Sequence, residues 1–255
     1  MKNVPLILIT NDDGISAPGI RALVDAVKDL GEVIVVAPDS PQSAMGHAVT
    51  ISKPLRLDKT THFEGISSYQ CSGTPADCVK LAVDKILHRK PDLLLSGINH
   101  GSNSSINVIY SGTMSAAVEG AIEGIPSAGF SLCDFAYDAD FSLASKTVRQ
   151  VALSILNNGL PNGVLLNVNV PKINEDECKG IKICRQALAK WEEDFDQRID
   201  PNGRTYYWLT GKFVNYDKGD DTDEWAISNG YVSIVPVQFD LTAHNAIAYL
   251  NQWSF

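Results

Sequence analysis

Two adjacent carboxylates, Asp12 and Asp13, follow the apolar run Leu6-Ile7-Leu8-Ile9 and precede Gly14. Neighbouring carboxylates repel each other, and withdrawal from water raises that cost. A hard divalent cation relieves it, because Mg2+, Mn2+ and Ca2+ take oxygen ligands. Asn11-Asp12-Asp13-Gly14 also suits a plain turn before a helix, where carboxylates favour the helix N-terminus. Taken alone, the tetrapeptide favours the turn. Other polar segments shift the balance toward a site. Ser40 to His47 follows a second apolar run, Asn99 and Asn103 follow a third, and Ser111-Gly112-Thr113 opens a helical pattern. Ser43 offers a hydroxyl and Asn99 an amide oxygen to a hard cation. A helix start with two hydroxyls and a glycine is an anion cradle, because free N–H groups and the helix dipole face it. A cation and an anion cradle on one rim would make a phosphoryl-transfer site.

Other chemistries lack their signatures. No GxGxxG follows the first apolar run, no GxxxxGKS or GxxxxGKT occurs, and no GxSxG or HExxH is present. The adjacent pair also differs from the DxD of an aspartyl-phosphate enzyme. His62 and His88 lie in polar surroundings and read as surface residues. His47 and His100 fall in the polar loops, where either serves as a structural residue or as the general acid for a leaving alkoxide. Cys71 and Cys78 read as packing residues.

The elements that must position these residues follow from periodicity. Leu6–Thr10 and Glu32–Pro38 are expected strands around a helix from Pro18 to Leu30, with Ile20, Leu23, Val24 and Val27 on one face. That is a βαβ unit and implies a parallel sheet. A helix is expected from Thr74, as N-cap with Pro75 behind it, to His88. Asp92–Ser96, Pro126–Leu132 and Val164–Val170 are further strands, with helices opening at Ser111 and spanning Ser142 to Leu156. Sites in open parallel sheets form at the carboxyl ends of strands, where all the polar loops above would lie. After about residue 180 aromatic and acidic residues cluster. Thr205–Thr210 and Tyr231–Pro236 are expected to belong to a different, antiparallel element, followed by a short helix within Thr242–Trp253. The aromatic cluster around Trp191, Phe195 and Tyr206 to Trp208 reads as core packing or an oligomer interface, ahead of a platform for a base. The expected architecture is an α/β doubly wound core, residues 1–180, with a β-rich extension, residues 181–255, that is not an independent domain.

The 255 residues are 44% hydrophobic and carry a net charge of -9, with no polybasic block. Grip on a nucleic-acid backbone needs clustered Lys and Arg, so long DNA or RNA is excluded as a partner. A small anionic substrate remains open, since a bound cation supplies positive charge locally. No apolar run reaches the roughly 18 residues that span a membrane, and Asp12 arrives too soon for Leu6–Ile9 to be the core of a secretory signal. The 5 cysteines include no CxxC pair, which fits reduced thiols in the cytoplasm.

Several stretches together resemble the survival protein SurE family of nucleotidases. They are Ile9-Thr10-Asn11-Asp12-Asp13-Gly14-Ile15, Val35-Val36-Ala37-Pro38-Asp39, Ser43-Ala44-Met45-Gly46, Ser96 to Asn103, Tyr110 to Ala117, and Asp223 through Pro236. The similarity runs in order along nearly the whole chain. It implies a Rossmann-like, mostly parallel sheet flanked by helices. It also implies metal-dependent hydrolysis of nucleoside 5′-monophosphates, and of 3′-monophosphates. By resemblance, one divalent cation per subunit, Mg2+ or Mn2+, is held by Asp12, Asp13, Ser43 and Asn99. Asp12, Asp13 and Asn103 are then the expected catalytic residues, with Asn11, Ser111, Gly112 and Thr113 at the phosphate. Family members form homodimers or homotetramers through exchanged C-terminal elements, which gives the extension a role in oligomerisation. The chain departs from the pattern at Gln42, where many relatives have arginine. It departs also at Ser105 and Asn107, where many have glycine and aspartate. Two rival readings are a phosphatase or exopolyphosphatase with another main substrate and a non-catalytic nucleotide-binding module.

Overall fold

The computed structural model describes residues 4–254. β1 (Leu6–Thr10) is buried along its whole length. Ile7 and Ile9 join one apolar cluster, and Leu6 and Leu8 join another. A strand covered on both faces needs an unbroken apolar run, which is what this segment supplies. α1 (Pro18–Val27) opens on a proline, whose missing N–H would have no helical partner there. It buries Ile20, Leu23, Val24 and Val27, and the residues expected to continue it to Leu30 form turns.

β2 (Glu32–Pro38), β3 (Leu57–Thr60) and β4 (Ser67–Cys71) come next. α2 (Pro75–Leu81) starts at Thr74, which exchanges capping hydrogen bonds with Asp77. The single helix expected to reach His88 changes at Ala82–Ile86 into a π-helical turn. β5 (Leu93–His100), α3 (Asn107–Tyr110), α4 (Gly112–Ile122), β6 (Ser127–Leu132), α5 (Ser142–Asn158) and β7 (Val164–Val170) complete the core. The remainder is β8 (Ile181–Ile183), β9 (Ala189–Ile199), β10 (Thr205–Asn215), α6 (Asp223–Ser228), β11 (Val232–Gln238) and α7 (His244–Leu250).

The main sheet has nine strands in the order β3-β4-β2-β1-β5-β6-β7-β11-β8. Its centre is parallel, with β3 antiparallel to β4 and β11 antiparallel to β7. α1 and α5 cover one face through Leu23, Val27, Val148 and Val151. α2 and α4 cover the other through Cys78, Val79 and Ala116. The fold is thus α/β with a mixed, mostly parallel sheet, and β9 and β10 form a separate small antiparallel sheet.

Tyr231–Pro236, expected in the separate antiparallel element, proves instead to lie in the main sheet as β11, with Ile234 beside Val168 of β7. A buried apolar run carries no information about which neighbour it pairs with, so sequence alone could not place it. The β9–β10 hairpin is different. Phe195, Ile199, Tyr206, Tyr207, Trp208 and Leu209 are all exposed on it, which removes core packing as the explanation for these aromatics. Among the described residues no helix is long and apolar enough to cross a membrane.

Candidate active site

β1 lies between β2 and β5: the chain builds β2, β3 and β4 on one side of it and then crosses back to β5 on the other. The strand order therefore reverses between β1 and β5, and a crevice opens at their carboxyl ends. Asp12 and Asp13 follow β1 directly, and Asn99 and His100 end β5. With Ser43, Asn103 and Ser111 they line one cleft of about 620 Å³.

Local geometry aims each group. Asn11 donates its side-chain amide to Gly14 O (2.9 Å), closing the turn that carries the two aspartates. Gly14 sits at φ 95°, a conformation that favours glycine. The backbone N–H of Gln42 donates to Asp12 O (2.7 Å) and draws the Ser43 loop against that turn. In β5 the pairing register with β6 shifts between Ser96 and Asn99. Such an irregularity turns the strand end and re-aims its side chains. Asn99 donates Nδ2 to Gly101 O (2.8 Å), which leaves its Oδ1 to accept from, or ligate, something else.

α4 is brought against Asp12 by a contact only glycine permits. A Cβ on Gly112 would lie 2.7 Å from Asp12 Cβ. Ser111 caps the helix by accepting the Met114 N–H (3.0 Å). Thr113 is fully buried and donates its hydroxyl to Asp12 Oδ1.

Burial dominates the electrostatics. It pushes Asp12 up to about 6, with the Thr113 bond working against it and the Asp13 charge adding to it. Asp13 is also raised, first by burial, with His100 opposing. Asp13 Oδ2 is buried and has no hydrogen-bond partner among the described residues. Two carboxylates held together with an unpartnered oxygen, beside a hydroxyl and an amide oxygen, make an all-oxygen donor set that suits a hard divalent cation. Among the described residues no three His, Cys, Asp or Glu side chains cluster in a way that could hold a metal ion, so any such ion would depend on Ser43 and Asn99 as well.

Behind the cleft runs a fully buried amide ladder on β7. Asn169 Oδ1 accepts the Asn103 N–H (2.8 Å), Asn169 donates to Asn167 Oδ1 (3.0 Å), and Asn167 donates to Asn103 O (2.9 Å). Asn103 itself donates Nδ2 to Ser131 Oγ (2.8 Å). Buried polar groups paired in this way fix a loop firmly.

The profile of the family described as Survival protein SurE matches residues 7–193. A 5'-nucleotidase SurE of Flavobacterium psychrophilum is 64% identical over 250 residues, covering 98% of this chain and 97% of the relative. One of Christiangramia forsetii is 66% identical over 255 residues, covering 99% and 98%. The crystal structure of the SurE protein from Aquifex aeolicus superposes with a TM-score of 0.84 at 41% identity, covering 97% of this chain and 98% of that one. The chain belongs to the SurE family.

This SurE family chain brings Asp12, Asp13, Ser43, Asn99, Asn103 and Ser111 to the cleft wall. Asn11, Gly112 and Thr113 are buried and stand behind that wall, supporting the residues that face the cleft. His100 lines the cleft, with its ring edge-on to Phe141 at 5.1 Å. His47 does not line it. Its Nε2 pairs with Glu119 at 2.8 Å, and Lys80 binds the same carboxylate at 2.6 Å. Glu119 is held below the usual carboxylate range by these two partners, against its own burial.

The cleft also holds residues outside the expected site set, Trp191 among them, whose aromatic cluster reads from sequence as core packing or an oligomer interface ahead of a platform for a base. Trp191 and Phe213 of the hairpin line it, ring centroids 5.6 Å apart and edge to face, and Glu224 of α6 does too. The departures at 105 and 107 were the available signal. Ser105 has φ 52°, which is why glycine suits the position, and its hydroxyl bonds Ala187 O (2.8 Å) and Ala189 O (2.9 Å) at the hairpin base. Asn107 Oδ1 accepts the Trp191 indole N–H (2.9 Å). At Gln42 the backbone makes the tie to Asp12, so the side-chain change leaves the Ser43 loop in place.

Proposed function

We propose that this chain hydrolyses nucleoside 5′-monophosphates to nucleoside and phosphate, with 3′-monophosphates as further substrates. The observation that carries the reading is the Asp12–Asp13 pair at the β1/β5 crevice, Asp12 buried and Asp13 half-buried, in one cleft with the start of α4 and an aromatic pair. A cleft of about 620 Å³ is in the range that takes small molecules.

SurE family enzymes are generally metal-dependent. In this reading one Mg2+ or Mn2+ per subunit is held by Asp12, Asp13, Ser43 and Asn99. When bound, it supplies positive charge to the phosphoryl oxygens and lowers the pKa of a water. The chain does the rest. Thr113 holds Asp12 in one rotamer, and the unpartnered oxygen of Asp13 is available to orient the attacking water. Asn103 and Ser111, at the α4 start, meet the equatorial oxygens as charge builds there. His100, in the cleft, protonates the leaving alkoxide in preference to His47, whose ring nitrogen is engaged with Glu119. Asn11 and Thr113 shape the turn and the helix start.

The exposed hairpin supports a homodimer or homotetramer. An isolated two-stranded ribbon is marginal in water, and this one displays Phe195, Tyr207, Trp208 and Leu209. β11 ties the segment after residue 180 into the main sheet, which supports one continuous unit rather than a separate domain. Five unpaired thiols are consistent with the cytoplasm.

Phosphate release from AMP, GMP, p-nitrophenyl phosphate and short polyphosphate, with and without EDTA, tests the proposal. It requires metal-dependent release from the nucleotides. Binding without release, or release from polyphosphate alone, would refute it.

A further inference from the structure

Glu224 is a third carboxylate in the cleft, and neither metal nor phosphate accounts for it. It cannot take the phosphate, which it would repel. It is nevertheless held in place. Its Oε1 accepts the hydroxyl of Ser104, a buried residue. Ser104 Oγ lies 2.5 Å from Ser102 Oγ, which reaches Asn169 Oδ1 at 3.3 Å. The preceding residue, Asp223, is fully buried and accepts the N–H groups of Ser105 (2.7 Å) and Ala187 (2.9 Å). The residue before Glu224 is therefore tied to the Ser105 loop and to the segment at Ala187. Its Oε2 has no hydrogen-bond partner among the described residues and is not sealed from the cleft.

The result is a half-buried carboxylate with one oxygen fixed and the other open, an acceptor that needs a donor from the ligand. Its place along the cleft indicates which donor. Ser104, whose hydroxyl holds Glu224, directly follows Asn103, which the nucleotidase reading assigns to the phosphate, and all three line the same cleft. Trp191 and Phe213 supply the apolar surface suited to a base. In a nucleotide the group joined directly to the phosphate is the sugar, and its donors are the 2′ and 3′ hydroxyls. A carboxylate is the acceptor that matches such hydroxyls.

We propose that Glu224, held by Ser104, accepts hydrogen bonds from the ribose hydroxyls and makes the cleft selective for ribonucleotides over 2′-deoxyribonucleotides. This rests on the nucleotidase reading above. Removal of a hydroxyl leaves a partly desolvated charge short of a partner, which costs about ten- to a hundredfold in kcat/KM.

The test compares AMP with 2′-deoxyAMP as substrates of the wild type, Glu224→Gln and Glu224→Ala, with saturating Mg2+ or Mn2+. The ratio of the two kcat/KM values within one preparation cancels any loss of folded enzyme. The wild type should favour AMP by about tenfold or more. In both variants that ratio should fall to within about threefold of one. Equal use of both substrates by the wild type, or an unchanged ratio in the variants, overturns the role of Glu224 while leaving the nucleotidase reading intact. Release from neither nucleotide, with p-nitrophenyl phosphate still hydrolysed, overturns both.

Discussion

The Thr113 hydroxyl donates to Asp12 Oδ1 at 2.5 Å, joining residues 101 apart in sequence. It links the turn after β1 to the first turn of α4, and so joins the proposed metal ligand to the proposed anion cradle. Hydrogen bonds to a charged group contribute about 1.5–3 kcal/mol. Thr113→Val keeps the shape and removes the bond. It should lower kcat for AMP by about ten- to a hundredfold, measured at saturating metal. A wild-type kcat would show that Asp12 needs no such support.

Gly112→Ala tests the close approach itself. The added Cβ would meet Asp12 Cβ at 2.7 Å, so the helix start or the aspartate must move. Displacement of a catalytic group by about 1 Å costs on the order of a hundredfold. The variant should fold, by circular dichroism, and lose at least that much activity.

Asp12 also sets a pH dependence in the metal-free protein. In the fold it keeps its proton up to about 6, whereas its ordinary value is 3.8. Between those values the folded state holds more protons than the unfolded chain, so stability falls as pH rises. The contribution is fully present below about 3.8 and is lost as pH passes about 6. Asp12→Asn has no such loss. In urea melts with EDTA, its stability relative to wild type should be more favourable at pH 7 than at pH 4, by on the order of 2–3 kcal/mol. A constant difference across that range would contradict the burial argument.

Trp191 should matter to nucleotides above all. Stacking on an aromatic side chain contributes about 1–3 kcal/mol per base. Trp191→Ala should lower kcat/KM for AMP about tenfold or more, chiefly through KM. Asn107→Ala, which only frees the indole N–H, should act in the same direction and less strongly. Steady-state kinetics on both variants checks this.

Burial pushes the Cys133 thiol up to about 12, with Ser102 opposing and Glu224 adding to the rise. Thiolate is the reactive form. At pH 8 the native protein should be alkylated at Cys133 at least about a hundredfold more slowly than the denatured chain. Peptide mass spectrometry over time reads this directly.

The core was legible where sequence pattern and burial coincide. Leu6–Thr10, Glu32–Pro38 and Val164–Val170 are strands at their expected bounds, because apolar runs suit strands covered on both faces. β3 and β4 carry no apolar pattern, because their sequences, LDKT and SSYQC, bury only Ser68 and Cys71. The strand at β11 is legible in its apolar run, and its place in the main sheet is not, since pairing partners leave no local trace. The same limit applies to the cleft. Residues at the ends of β1, β2 and β5 share a rim by the logic of parallel sheets. Trp191, Phe213 and Glu224 reach it only through the tertiary path of the chain beyond residue 180.

The central claim is that the Asp12–Asp13 pair holds the metal on which phosphate release depends. The most direct measurement is phosphate release from AMP by Asp12→Asn at saturating Mg2+ or Mn2+, with folding verified by circular dichroism. Loss of turnover by about a hundredfold or more, on the scale of removing a principal group from a catalytic site, is the result expected. Turnover near that of the wild type in a folded protein would contradict the account.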